Sequence, residues 1–134
     1  MNLSFHLDFD GHCKQAFDYY AKHLGGKIGT MLLFKNSPAA NSVPREWQDK
    51  VIHANIRIGN IELAGTDLGP DQYRKPGGFY VLLGLDSEDE VESVFSKLSV
   101  NGEVLLPPQA TFWSKRYGIV VDQFNIPWKV NCRA

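Results

Sequence analysis

Apolar and polar residues alternate from Leu3 to Phe9, with Leu3, Phe5, Leu7 and Phe9 set against Ser4, His6 and Asp8. A period of two predicts a strand with one apolar face. The period then changes. Cys13, Ala16, Phe17, Tyr20, Ala21 and Leu24 fall at i, i+3 and i+4 spacing, the stripe of an amphipathic helix. Asp10 stands where an N-cap belongs. Lys22 and His23 suit the negative end of the helix dipole, and Gly25-Gly26 supplies a left-handed terminator.

Lys27 to Phe34 reads as a second strand. Lys35 to Lys50 shows no periodicity, and Pro38, Pro44, Asn36 and Asn41 predict a long loop with Trp47 as its single large aromatic. Trp47 in such a loop either closes over a ligand or anchors the loop to the body. Ile52, Ala54, Ile56 and Ile58 alternate with His53, Asn55 and Arg57. Gly59-Asn60 predicts a hairpin, and Ile61 to Thr66 the returning strand. Asp67 to Gly78, with Gly69-Pro70 and Pro76-Gly77-Gly78, is a connector.

The same order then recurs. Phe79 to Leu85 is a strand. Ser87 and Glu90 form a capping box ahead of the stripe Val91, Val94, Phe95 and Leu98, and Asn101-Gly102 ends that helix. Glu103 to Leu106, Trp113 to Val121 and Ile126 to Cys132 predict three more strands. Corresponding landmarks lie roughly 76 residues apart, the sign of a structural repeat without sequence identity. The prediction is an α+β fold of two βαβββ modules, about 1–67 and 78–132. They form a single domain whose curled mixed sheet surrounds a cavity, with the helices outside.

Composition narrows the function. A chain of 134 residues, 43% hydrophobic and 22% charged, has the balance of a soluble globule. A net charge of −1 and scattered Lys and Arg give no case for nucleic acid or an anionic membrane surface. The first residues lack the pattern of a signal peptide, and no apolar run approaches a membrane span. Two cysteines, Cys13 and Cys132, make no disulfide framework and read as reduced thiols in a cytoplasmic protein. There is no Ser-His-Asp order, P-loop, dinucleotide fingerprint or paired-cysteine metal motif.

Three stretches carry a resemblance in their order and spacing. They are Phe9-Asp10-Gly11 running into Ala16-Phe17-Asp18-Tyr19-Tyr20 and Leu24-Gly25-Gly26; His53 to Gly59; and Thr111-Phe112-Trp113 through Trp128. In these the chain resembles the vicinal oxygen chelate superfamily, the glyoxalase and bleomycin-resistance fold, and looks most like its PhnB-like branch. The resemblance covers nearly the whole chain and implies paired βαβββ modules around a cavity, in a homodimer.

It also implies where a divalent metal would sit, with ligands from the first and last strands of each half. His6 is the one plausible donor. Leu82 occupies the matching place in the second half, and Lys129 stands where a glutamate would follow the Asp122-Gln123-Phe124-Asn125 turn. Glu62 lies only near the start of its strand. An ammonium cannot donate to a metal, so the expectation is that neither metal nor cofactor is bound.

The residues singled out for ligand binding are His6, Tyr80, Trp113, Arg116, Tyr117 and Lys129. Alternation turns His6 away from the apolar face, either as a ligand partner or as a histidine bonded within its sheet. Trp113 and Tyr117 share one face; they sandwich a ligand or fill the core. Arg116 shares the other with Asp122 and pairs with a ligand anion or with Asp122 itself. Trp128, with Val130 and Cys132, faces a helix. The function expected is binding of a small anionic molecule without metal. The alternative is a metal-dependent lyase, isomerase or dioxygenase-type enzyme of the same superfamily using His6.

Overall fold

Burial follows the predicted alternation in the first module and shows where it stops. The computed structural model describes residues 1–133. The chain divides into two compact units, Met1–Arg74 and the remainder from Lys75 onward. In the first, β1 (Phe5–Phe9) is followed by α1 (Cys13–Leu24), β2 (Lys27–Leu33), β3 (Val51–Ile58) and β4 (Ile61–Asp67). The sheet order is β1-β4-β3-β2, with β1 parallel to β4 and the other pairs antiparallel.

Helix α1 packs on β2, β3 and β4. Leu7, Phe9, Ala54, Ile56 and Leu63 are buried, as are Cys13, Ala16, Phe17 and Tyr20 of the helix. Phe9 and Phe17 meet edge-on at 5.8 Å, a geometry that aromatic quadrupoles favour. A Cβ at Gly65 would stand 2.7 Å from Phe17 Cζ, so the bare backbone lets the helix approach the sheet. Leu3 lies before the strand, and Leu3 and Phe5 are exposed although the alternation placed them in the core. Helix α1 covers the middle of the sheet and leaves the start of the β1 edge bare.

The N-terminus of α1 corrects a second expectation. Asp10 does not cap it. His12 is the N-cap residue and makes no side-chain cap bond, and the first turn contains no acid. The acceptor is Asp67, at the end of β4. Its Oδ1 receives the backbone N–H of Gly11 at 3.1 Å and of Cys13 at 2.9 Å, while Oδ2 receives that of Val51 at 2.9 Å. One buried carboxylate thus satisfies the helix start and the first residue of β3, and supplies the negative charge the helix dipole wants. At the other end Gly25 takes the left-handed conformation, φ 70°, as its sequence position predicted.

The predicted loop 35–50 is built from three short 3-10 turns. Beyond it, β3 carries a bulge. Leu32 pairs with His53 and Leu33 with Val51, so Ile52 is the extra residue. Val51 therefore enters the core and Ile52 leaves it, the reverse of the simple alternation.

The second unit repeats the topology: β5 (Val81–Leu85), α2 (Glu88–Ser99), β6 (Glu103–Gln109), β7 (Tyr117–Val121) and β8 (Pro127–Cys132), in the order β5-β8-β7-β6. Ser87 caps α2 as predicted, accepting the Glu90 N–H at 3.1 Å and donating its hydroxyl to the Glu90 carboxylate at 3.2 Å. Val91, Phe95 and Leu98 face Val120, Trp128 and Val130 in the core. A Cβ at Gly118 would stand 2.7 Å from the Phe95 ring.

Two strand limits differ from the sequence reading. Edge strand β6 runs on through Pro107 and Pro108, which an edge tolerates because their missing N–H groups break no inner ladder. β7 begins at Tyr117 rather than Trp113, because Ser114 ties residues 111–116 into a turn. Ser114 N–H donates to Thr111 Oγ1 at 3.1 Å, and its hydroxyl to the carbonyls of Arg116 and Cys132 at 2.9 and 3.2 Å.

Candidate functional site

In β8 the side chains divide cleanly. Trp128, Val130 and Cys132 are buried, while Lys129 and Asn131 are half-buried on the opposite face. Cross-strand pairing extends that second face: Lys129 lies beside Ile119 of β7 and Leu82 of β5, and Asn131 beside Tyr117. Residues paired across strands share a face. The face away from α2 therefore carries Leu82, Lys129, Asn131 and Tyr117.

Tyr80, just before β5, completes it. The Lys129 ammonium stands 4.6 Å from the centre of the Tyr80 ring. A cation over an aromatic face is attracted by the ring quadrupole, which favours this position of the ammonium. Trp113 packs edge-on against Tyr117 at 5.3 Å and Phe112 against Trp113 at 4.7 Å. Trp113 is 56% exposed, so the Ser114 turn presents its ring to solvent instead of burying it. A cavity of about 400 Å³ opens beside it, lined by residues 110–115 and Cys132. Asn131 Oδ1 is buried and accepts no hydrogen bond within the described residues, an acceptor on the same face as the ammonium.

Four of the six predicted site residues lie in the second unit as two contacting pairs, Lys129 over Tyr80 and Trp113 against Tyr117. Arg116 does not join them. Its guanidinium turns towards α2, 3.3 Å from Glu92 Oε1 and 3.9 Å from Glu88 Oε1. Nor does it pair with Asp122. That carboxylate accepts the backbone N–H groups of Phe124 and Ile126 at 2.8 and 3.0 Å and the Trp128 indole N–H at 2.8 Å. It fixes the 122–125 turn, in which Asn125 adopts the left-handed conformation, φ 70°. His6 belongs to the first unit. It points away from Leu7 and Phe9, is exposed, and its Nδ1 lies 3.3 Å from Asp8 Oδ1.

The donor chemistry does not fit a divalent cation. Leu82 and Lys129 occupy the two second-module positions where ligands were sought, and neither donates to a metal. Glu62 lies 3.8 Å from the Arg57 guanidinium. Among the described residues no three His, Cys, Asp or Glu side chains group as a metal site. No helix there is long and apolar enough to cross a membrane.

Sequence periodicity gave the face of Lys129 but not its contact with Tyr80. That contact requires the parallel pairing of β5 with β8, a long-range event without a local signal. Asp67 was missed for the same reason, being read only as the start of a connector.

Known proteins match this architecture end to end. The pattern of the Glyoxalase/Bleomycin resistance protein/Dioxygenase superfamily matches residues 6–130. Protein YjdN of Escherichia coli is 31% identical over 139 residues, spanning 98% of this chain and 95% of that one. Among solved structures, protein PA1353 from Pseudomonas aeruginosa superposes with a TM-score of 0.86 at 36% identity, covering 99% of this chain and 98% of its own. The PhnB protein from Bacillus cereus shares the fold at 20% identity, with a TM-score of 0.82 and coverage of 98% and 99%.

Proposed function

This chain belongs to the glyoxalase/bleomycin resistance protein/dioxygenase superfamily, and on that premise we propose that it is a PhnB-like member that binds a small, partly apolar anion without a divalent metal. The observation that carries the reading is the Lys129 ammonium over Tyr80, on the sheet face that α2 leaves uncovered. Lys129 supplies charge complementarity and Tyr80 fixes its position. Trp113, braced edge-on by Tyr117, offers aromatic contact area. The Arg116 guanidinium faces Glu88 and Glu92 rather than the ligand.

The same reading includes a homodimer in the cytoplasm. Leu3 and Phe5, 83% and 45% exposed, are apolar surface that a second copy would cover. Sedimentation at micromolar concentration tests this, and a monomer there refutes it.

Native mass spectrometry of freshly purified protein identifies what co-purifies. Calorimetry with benzoate and phenylphosphonate as probe anions tests the site. Lys129→Met keeps the stem volume and is expected to weaken anion binding at least about tenfold, which corresponds to about 1.4 kcal/mol. Unchanged affinity in that variant places the site elsewhere. His6→Ala reads any share that the first module takes in the affinity.

A further inference from the structure

The segment between β2 and β3 carries apolar side chains that do not enter the core. Its backbone is pinned. Phe34 N–H donates to Lys50 O and Lys35 N–H to Gln48 O, both at 3.0 Å. The Gln48 carboxamide donates to the carbonyls of Ala40 and Val43 at 2.8 and 3.2 Å. Lys35 Nζ lies 2.8 Å from Asp49 Oδ1. Held in this way, the segment forms the rim of a cavity of about 530 Å³, within the usual range for small-molecule sites.

Phe34, Val43, Trp47, Ile52 and Leu68 line the cavity, and each is only half-buried. Phe34 and Trp47 meet edge-on at 6.1 Å. Ile52 reaches this wall because the β3 bulge takes it out of the core.

Asp67 is the one ionisable residue among those lining the cavity, and backbone N–H groups occupy both of its carboxylate oxygens. The Thr66 hydroxyl donates to Ile52 O at 2.8 Å. An anion would therefore lose hydration and meet the like charge of Asp67, and a cation would find both carboxylate oxygens already bonded. Uncharged apolar surface is what the walls complement.

We infer that this cavity of the first module is a further small-molecule site, taking a neutral, flat, ring-bearing compound. Its chemistry is opposite to that of the anion assigned to Lys129. Ser42 and Gln72, polar residues at the rim, leave room for one hydrogen-bonding substituent on the ring.

The test uses N-phenyl-1-naphthylamine, a neutral dye whose emission rises in apolar surroundings, titrated into the full chain. One saturable equivalent per chain is expected. Trp47→Ala and Ile52→Gln should each weaken the dye at least about tenfold, with far-ultraviolet dichroism confirming that each variant is folded. Two substitutions at separate elements keep the test decisive if one of them unfolds the segment. Saturating benzoate and Lys129→Met should leave dye affinity unchanged. Absence of saturable binding overturns the inference, as does full affinity in both cavity variants. Competition by benzoate, or loss in Lys129→Met, would place the dye at the anion site and overturn it equally.

Discussion

Asp67 Oδ1 accepts the Cys13 backbone N–H at 2.9 Å, so a residue 54 positions away caps the first helix. The same side chain holds Gly11 and Val51. Asp67→Ala would leave three backbone donors without their acceptor, at roughly 1–3 kcal/mol for each fully buried one. The expected loss in urea unfolding is about 3 kcal/mol or more. Asp67→Asn keeps one acceptor oxygen and should fall between the two. A loss below about 1 kcal/mol in Asp67→Ala would mean that water replaces the carboxylate.

Burial pushes the Cys13 thiol far above the ordinary thiol range, and the adjacent Asp67 charge adds to this. The sign of the linkage follows. Below the ordinary thiol value of 9.0 both the folded and unfolded chain keep the proton, and the thiol contributes no pH slope. Above it the unfolded chain ionises while the folded chain does not. Stability should therefore fall by up to about 1.4 kcal/mol per pH unit from this one group. Comparing Cys13→Ser with the parent from pH 8 to 10.5 isolates the term, and equal slopes would refute it. Native Cys13 should also resist iodoacetamide at pH 8 and react once urea unfolds the chain.

Two tryptophans should behave oppositely. Trp128 is fully buried and donates its indole N–H to Asp122 at 2.8 Å. Trp128→Phe should cost about 1–3 kcal/mol through the lost bond alone. Trp113 is 56% exposed. Trp113→Ala should change stability by less than about 1.5 kcal/mol, well under the cost of emptying a core site, yet weaken probe-anion binding. Thermal unfolding and calorimetry on the same two proteins separate the effects. A large stability loss in Trp113→Ala would show that its ring serves packing.

Metal equilibration gives an independent check. A cation bound tightly by the folded state raises the melting temperature through mass action. With zinc, nickel or manganese at a few equivalents the expected rise is below about 2 °C, roughly the shift produced by a few tenths of a kcal/mol. A rise of many degrees that His6→Ala abolishes would overturn the metal-free reading and favour the enzyme alternative.

The sequence by itself determined the two βαβββ modules, because strand and helix periods are local and follow directly from which side chains face a core. It also determined the Ser87 cap, the Gly25 terminator and the burial of Trp128. Each of these rests on residues within a few positions of one another. Tertiary structure decided the rest. Asp67 replaced Asp10 at the helix start because β4 brings a carboxylate to the unpaired N–H groups. Arg116 chose Glu92 over Asp122 because the Ser114 turn redirects the chain before β7 begins. Ile52 left the core because one bulge reverses every side chain beyond it. Lys129 met Tyr80 only through the pairing of β5 with β8. Alternation states which way a side chain points; what it meets there depends on strands distant in the chain.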